Sequence, residues 1–516
     1  MVKSKEIESS ENKAKTIFLN DITAGFLVFL LALPLSLGIA KASGFPPAMG
    51  VLTAMIGGLF TGIFKVSELS IKGPAAGLIT ISAAAVAEFG GGIYGWQMVC
   101  ALIVVMAILQ IGIGLLKLGS LSDFFPHTAV HGMLAAIGII IIAKQIPVLL
   151  GDNPEIYAGE GPIELLMSIP RFITNANEHI AIIGVLGLII MLVVSGSKHK
   201  LLKKIPAPMV VLVMAIPMTM IWDFKHTESS YSLVSIGDFW GSFAMNADFS
   251  GIGTFPFWKY VVMFLFVSSL ESLLTVKAID NLDPYKRQSN YNGDLIGQGA
   301  GNVISGLLGG LPMISEVVRS SANIGYGSKT KWANFFHGVF LLLAMIFMIP
   351  VIELIPNSAL AAMLIFAGYR LAAPKEFISI YKLGKEQFLI FLVTIIITLS
   401  KDLLVGILAG IVVEFILHIA NGVKVSQLFQ SKFNIIEKEE FIQFNILGPA
   451  IFSNIIGYKK RLNSLSSAKK TIINFEESDY IDHSFMSFIH KLKNKKEQVN
   501  CEWIIIGLEN HRALSD

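Results

Sequence analysis

Apolar stretches of helix length follow one another through roughly the first four-fifths of this chain, and their recurrence commits it to a membrane. A span needs about 20 apolar residues to cross the hydrocarbon core. Tyr94 to Leu116 meets that requirement with no charged side chain, and Leu404 to Ala420 is interrupted only by Glu414 and His418. A soluble core has no use for so many such runs. Charge agrees: 15% of the 516 residues are charged and 53% hydrophobic, with a mean hydropathy of +0.66. Soluble domains carry about a quarter charged residues.

The apolar runs predict spans at 21–42, 47–64, 74–88, 93–117, 124–147, 179–196 and 207–222, then at 259–280, 293–308, 312–323, 332–350, 351–372, 386–400 and 402–422. That is about fourteen. The spans beginning at Pro74 and Pro312 are too short to cross alone. With a cytoplasmic N-terminus, loops after even-numbered spans should be basic. Those loops hold Lys65 and Lys72; Lys117; Lys198, Lys200, Lys203 and Lys204; Lys286 and Arg287; Lys329 and Lys331; and Arg370, Lys375, Lys382 and Lys385. The opposite loops are poorer in basic residues and include the acidic stretch Asp152 to Glu164. Both termini are therefore expected in the cytoplasm. Residues 1–20, with Lys3, Lys5, Glu6, Glu8, Lys13 and Lys15, read as a solvated lead rather than a signal peptide.

Polar and charged residues return from about Glu437. Glu440 to Ile446, Thr471 to Phe475 and Glu502 to Leu508 read as strands; Phe452 to Ala468 and Ser484 to Lys495 read as helices. The expectation is a transport region over 21–422 and a small, short α/β domain over 437–516. The two cysteines, Cys100 and Cys501, form no disulfide framework or metal motif. The formal net charge of +3 gives no electrostatic case for nucleic acid. No P-loop is present, which argues against a primary pump, and no nucleophile–base or metal constellation suggests an enzyme.

Two segments break the apolar pattern in a related way: SIKGPAAG (Ser70 to Gly77) and GGLPMISEVVRSSAN (Gly309 to Asn323). Each is a Gly-Pro element leading into a short helix, and each is the third span of its series. Such a matched pair points to a transporter's binding site, because non-helical backbone at membrane depth is tolerated only against protein or water. The helix N-termini offer unpaired N–H groups and positive dipole ends to an anion. The plainer alternative is two proline-kinked helices with no ligand.

Arg319, one to two turns beyond Pro312, is a charge inside a span and hence a candidate anion partner. The alternatives are a snorkelling residue or a partner of Glu316 at i,i+3. Glu271 lies inside span 8 with Thr275 on the same face at i,i+4. A carboxylate and a hydroxyl so placed can ligate Na⁺ or carry a proton; the alternative is a structural salt bridge to Arg319 or Lys277. Lys277 and Asp280 read as interfacial. His127 and His131 are spaced to share a metal but have no further ligand nearby, and read as interfacial histidines. The run Gly90 to Gly95 falls in a turn and is no phosphate loop.

Taken together these stretches resemble the SulP (sulfate permease) family. NGDLIGQGAGNVISGLLGGLP, VVRSSAN and HGVFLLL (Asn292 to Leu343) are similar to its most recognisable block, and LALPLSLGIAKASG (Leu31 to Gly44) and SIKGPAAG to its first-half signatures. The tail resembles a STAS domain, with YIDHSF (Tyr480 to Phe485) at its Asp-Ser turn. The resemblance implies an all-α membrane protein of two inverted seven-segment repeats, divided into core and gate, that carries a small anion by an elevator-like movement. It implies a bacterial inner-membrane location and a homodimer. The anion site maps to Leu35 and Ile39 on span 1, Ala75 and Ala76 on span 3, and Val317, Val318 and Arg319 on span 10. Glu271 and Thr275 match the cation site of sodium-coupled bicarbonate members, with Glu in place of Asp.

Three departures stand out. Glu316 puts a negative charge beside the anion seat unless it is protonated, paired with Arg319 or turned away, and it joins Glu271 as a candidate proton carrier. His483 replaces a phosphorylatable Ser, and Leu35 replaces a polar residue of some members. The leading expectation is a secondary transporter of sulfate or bicarbonate coupled to Na⁺ or H⁺, with no other cofactor. The alternatives are a nucleobase carrier of the same architecture, disfavoured by Arg319 and the tail, and a membrane sensor or scaffold acting through residues 437–516.

Overall fold

The computed structural model describes residues 2–64, 66–119, 126–157, 160–197, 206–228, 232–236, 239–241, 244–401, 403–465, 470–497 and 502–508. Lys65, Lys198, Lys200, Lys203, Lys204 and Cys501 lie outside the described residues. Two compact units divide the chain: Met1–Gly119 with Ile137–Leu371, and Ser120–Ala136 with Ala372–Asp516.

The first series of elements runs α1 (Val2–Ala42), α2 (Pro47–Leu59), β1 (Ile71–Pro74), α3 (Ile79–Glu88), α4 (Gly92–Leu115), α5 (His127–Leu150), α6 (Glu178–Gly196) and α7 (Ala207–Ile221). The second runs α8 (Phe255–Leu282), α9 (Tyr291–Leu307), β2 (Met313–Glu316), α10 (Val317–Gly325), α11 (Trp332–Phe347) and α12 (Asn357–Leu371). Helix α1 begins well before the expected span, and its apolar part is Thr16–Ala42. Among the described residues five helices are long and apolar enough to cross a membrane, and shorter apolar helices accompany them. Prolines stand in the first turn of α2, α7 and α8, where a missing N–H loses no helical bond. Leu186, Ile189, Leu192 and Val193 of α6 are exposed, as apolar side chains facing lipid must be.

Strands β1 and β2 pair antiparallel, with Ile71 opposite Glu316 and Pro74 opposite Met313. The expected helix over 312–323 therefore divides into a strand and a helix that starts only at Val317. Proline cannot donate a backbone bond, and the residues after it gain their partners from β1 instead. Arg319 thus belongs to the first turn of α10.

The second unit contains α13 (Pro374–Leu383), α14 (Lys385–Ser400), α15 (Leu403–Ala420) and an α/β region of β3 (Phe433–Glu437), β4 (Phe441–Ile446), α16 (Ile455–Asn463), β5 (Lys470–Asn474), α17 (His483–Glu497) and β6 (Trp503–Ile506). The sheet order is β3-β4-β5-β6, with β4, β5 and β6 parallel and β3 antiparallel at one edge. The β-α-β-α-β order read from sequence is present, and β3 is an added strand. Tyr458 and Leu462 of α16 and Phe485 and Ile489 of α17 pack with Phe444, Ile473 and Trp503 of the sheet. A small parallel sheet carrying helices fits a STAS-like domain.

Candidate functional site

Extended backbone inside a membrane must find its hydrogen bonds within the protein. Around β2 the polar side chains of α2 and α9 supply them. Asn302 accepts the Met313 N–H at 2.7 Å and donates to the Met313 carbonyl at 3.2 Å. Thr53 accepts the Leu311 N–H at 2.7 Å, and Ser305 donates to the Leu311 carbonyl at 2.8 Å. On β1, the Ile71 N–H donates to Ser320 and the Lys72 N–H to Asn334. β1 is fixed in this way to helices of the second series, and the approach to β2 at Leu311 to α2 of the first.

Lys72 is no loop residue, contrary to the charge reading. It is fully buried, and its ammonium lies 2.6 Å from the equally buried Asp294 carboxylate while also donating to Ser315. Asp294 further accepts the Ser67 N–H at 3.0 Å. A lysine can be buried only if paired, and its partner lies 222 residues away in sequence.

A cavity of about 460 Å³ opens beside the two strand–helix elements. Leu35 and Ile39 of α1, Ala76 ahead of α3, and Glu316, Val318 and Arg319 line it. Ala75 is buried but is not among the lining residues, and Val317 is 43% exposed outside it. Of the residues expected at the anion site, these two therefore stand outside the cavity lining, next to Ala76 and Val318 within it. Arg370, read only as a topology signal, also lines the cavity.

Arg319 is fully buried. Its Nη2 donates to the Pro74 carbonyl at 3.3 Å, whereas Nε and Nη1 have no protein partner among the described residues. A Cβ on Gly73 would stand 2.5 Å from Nη1, so glycine is what lets the guanidinium reach β1. Glu316 caps α10: its carboxylate accepts the Arg319 N–H at 2.6 Å. The carboxylate thus occupies one of the N–H groups an anion would otherwise use. No side chain caps the start of α3.

Glu271 and Thr275 share one face of α8, with Glu271 Oε2 and Thr275 Oγ1 buried and unpartnered among the described residues. Both Glu271 oxygens press on Gly77, where a Cβ would collide with them. The carboxylate consequently lies at the turn leading into α3. Ser272, the next residue of α8, accepts the Ser315 N–H at 3.1 Å and ties α8 to β2. Two orphaned oxygens, one from a carboxylate, fit a hard cation or a proton. Glu316 acts electrostatically on both Glu271 and Arg319.

Sequence reading missed His337 of α11, which is fully buried, has neither ring nitrogen partnered among the described residues, and feels the charge of Arg319. The rings of His127 and His131 are tilted by 30° with centres 4.2 Å apart, and His131 lies 3.2 Å from Glu376.

The chain matches the Sulfate permease family over residues 18–394. It is 24% identical to YvdB of Bacillus subtilis, provisionally named a sulfate transporter, over 96% of this chain and 92% of that protein. It is 26% identical to the bicarbonate transporter BicA of Picosynechococcus, over 77% of this chain and 70% of BicA. Among solved structures it resembles the transmembrane domain of a cyanobacterial BicA, with a TM-score of 0.62 at 22% identity over 75% of this chain and 97% of that one. It also resembles SLC26A9, with a TM-score of 0.67 at 14% identity over 95% of this chain and 84% of that one. These likenesses establish the fold.

Proposed function

The chain belongs to the sulfate permease family, and we propose that it is a secondary active transporter of a small inorganic anion, sulfate or bicarbonate, driven by Na⁺ or H⁺. It is a multi-pass membrane transporter and no enzyme, as its family is. The observation that carries the anion reading is Arg319: a buried guanidinium with two unpartnered nitrogens, lining a cavity at the start of a half-span helix. An unpaired buried charge is costly unless a ligand of opposite sign completes it. Leu35, Ile39, Ala76 and Val318 complete the seat with apolar surface and backbone N–H groups, which select for small size and negative charge.

Glu271 and Thr275 are the proposed coupling site, binding Na⁺ as co-transported cargo or carrying a proton. Glu316 joins them as an alternative proton carrier. Substrate would move with the helices that bear β1 and β2, elevator-like, past the remaining spans. The proposal includes a homodimer in a bacterial inner membrane with both termini cytoplasmic and the STAS-like tail from about residue 437 on that side. A nucleobase would leave Arg319 uncompensated, so uptake should be competed by sulfate or bicarbonate and not by uracil.

The test is uptake of radiolabelled sulfate and bicarbonate into proteoliposomes under separately imposed Na⁺ and H⁺ gradients. One anion accumulating with one gradient, and Glu271→Gln abolishing that dependence, is the expected result. Gradient-dependent uptake unchanged by Glu271→Gln removes the coupling assignment.

A further inference from the structure

In the second unit, Glu414, His418 and Asp482 converge, and a donor atom from each lies within 4.8 Å of the others. Glu414 and His418 are one turn apart on α15, so both project from the same face. Asp482 immediately precedes α17 and is held there by its own bonds, accepting the Phe452 N–H at 2.6 Å and the Phe485 N–H at 2.7 Å. All three are buried, at 1%, 2% and 3% exposure. His418 Nε2 lies 3.5 Å from Asp482 Oδ2. Both oxygens of Glu414 and Nδ1 of His418 have no partner among the described residues. The rings of Phe452 and Tyr480 stand 5.7 and 5.4 Å from the imidazole.

Two buried carboxylates beside this imidazole, with no lysine or arginine among the described residues acting on them, are an expensive arrangement. Burial pushes the Asp482 carboxyl up, against backbone hydrogen bonds that hold it down. We propose that Glu414, His418 and Asp482 bind one first-row divalent metal ion, with zinc as the best match, and that the ion clamps α15 to the STAS-like domain. One imidazole nitrogen and two carboxylate oxygens are a donor set for Zn²⁺ and its neighbours. Ca²⁺ and Mg²⁺ take oxygen ligands and leave imidazole aside. The backbone bonds to Asp482 orient one ligand in advance, as supporting bonds do in metal sites. The donor atoms lie within 4.8 Å of one another, as donors about 2 Å from a common ion must, and the Glu414 carboxylate has no other partner among the described residues.

The experiment uses full-length, tag-free protein in detergent, stripped with a chelator and titrated with Zn²⁺. Metal content after desalting and thermal unfolding are the readouts. The proposal expects about one equivalent retained and a raised unfolding temperature. Glu414→Gln and His418→Ala should each weaken retention at least about tenfold, whereas His127→Ala with His131→Ala should not change it. Because Glu414→Gln keeps the shape and removes a buried charge, it is expected to fold. Co²⁺ offers a second readout: its visible absorption in wild type should disappear in Glu414→Gln. Retention below stoichiometry in wild type, or retention equal in wild type and both single variants, overturns the proposal.

Discussion

The two strand–helix elements that meet at the cavity have the same backbone plan and opposite chemistry. The first, β1 into α3, offers small residues: Gly73, Ala76 and Gly77 present backbone, and its one charge, Lys72, is neutralised by Asp294 and does not line the cavity. The second, β2 into α10, offers charge: Glu316 caps the helix and Arg319 reaches back across the ladder to Pro74. The glycines of the first element are where charged groups come to rest, Arg319 against Gly73 and Glu271 against Gly77. One half supplies space and N–H groups; the other half and α8 supply the charges that fill that space. Matched backbones therefore need not carry matched roles.

That division can be broken at graded cost. Lys72→Met leaves Asp294 buried and unpaired, and should lower stability by about 3–5 kcal/mol, read by thermal or denaturant unfolding. Pairing it with Asp294→Leu should recover much of the loss, since the pair serves assembly and not the anion. Arg319→Ala should weaken anion affinity by about 10–100-fold, the worth of a charge-assisted bond of about 1.5–3 kcal/mol. Gly77→Ala tests the space itself: the added methyl displaces the Glu271 carboxylate, and cation-dependent uptake should fall severalfold while anion affinity changes little. Gly73→Ala should show the converse by displacing Arg319. The smallest effect is expected from Glu316→Gln, which keeps a weaker cap at a cost of about 0.5–2 kcal/mol and should raise anion affinity by removing a negative charge from the cavity.

Much of this was legible in the sequence because it is local. Apolar runs gave the helices, Gly73-Pro74 and Gly309 to Pro312 marked the breaks, and the isolated charge of Arg319 and the i,i+4 pair Glu271 and Thr275 marked the groups that the structure buries near these breaks. What stayed hidden depends on partners far along the chain. The extension of Met313 to Glu316 exists because β1 lies beside it, and the burial of Lys72 because Asp294 does. Charge counting alone placed Lys72 in a loop. His337 is one histidine in an apolar run, and Glu414 and His418 looked like mere interruptions of a span until the fold set Asp482 against them.

The central claim is that Arg319 is the fixed charge of an anion seat. Calorimetric titration of sulfate and of bicarbonate into the detergent-purified chain and into Arg319→Ala, at matched folding and low salt, tests it most directly. The account predicts saturable binding of one of these anions by the wild-type chain and loss of at least about tenfold in affinity in the variant. Equal affinity in the two proteins, or binding of neither anion by a folded wild-type chain, would contradict it.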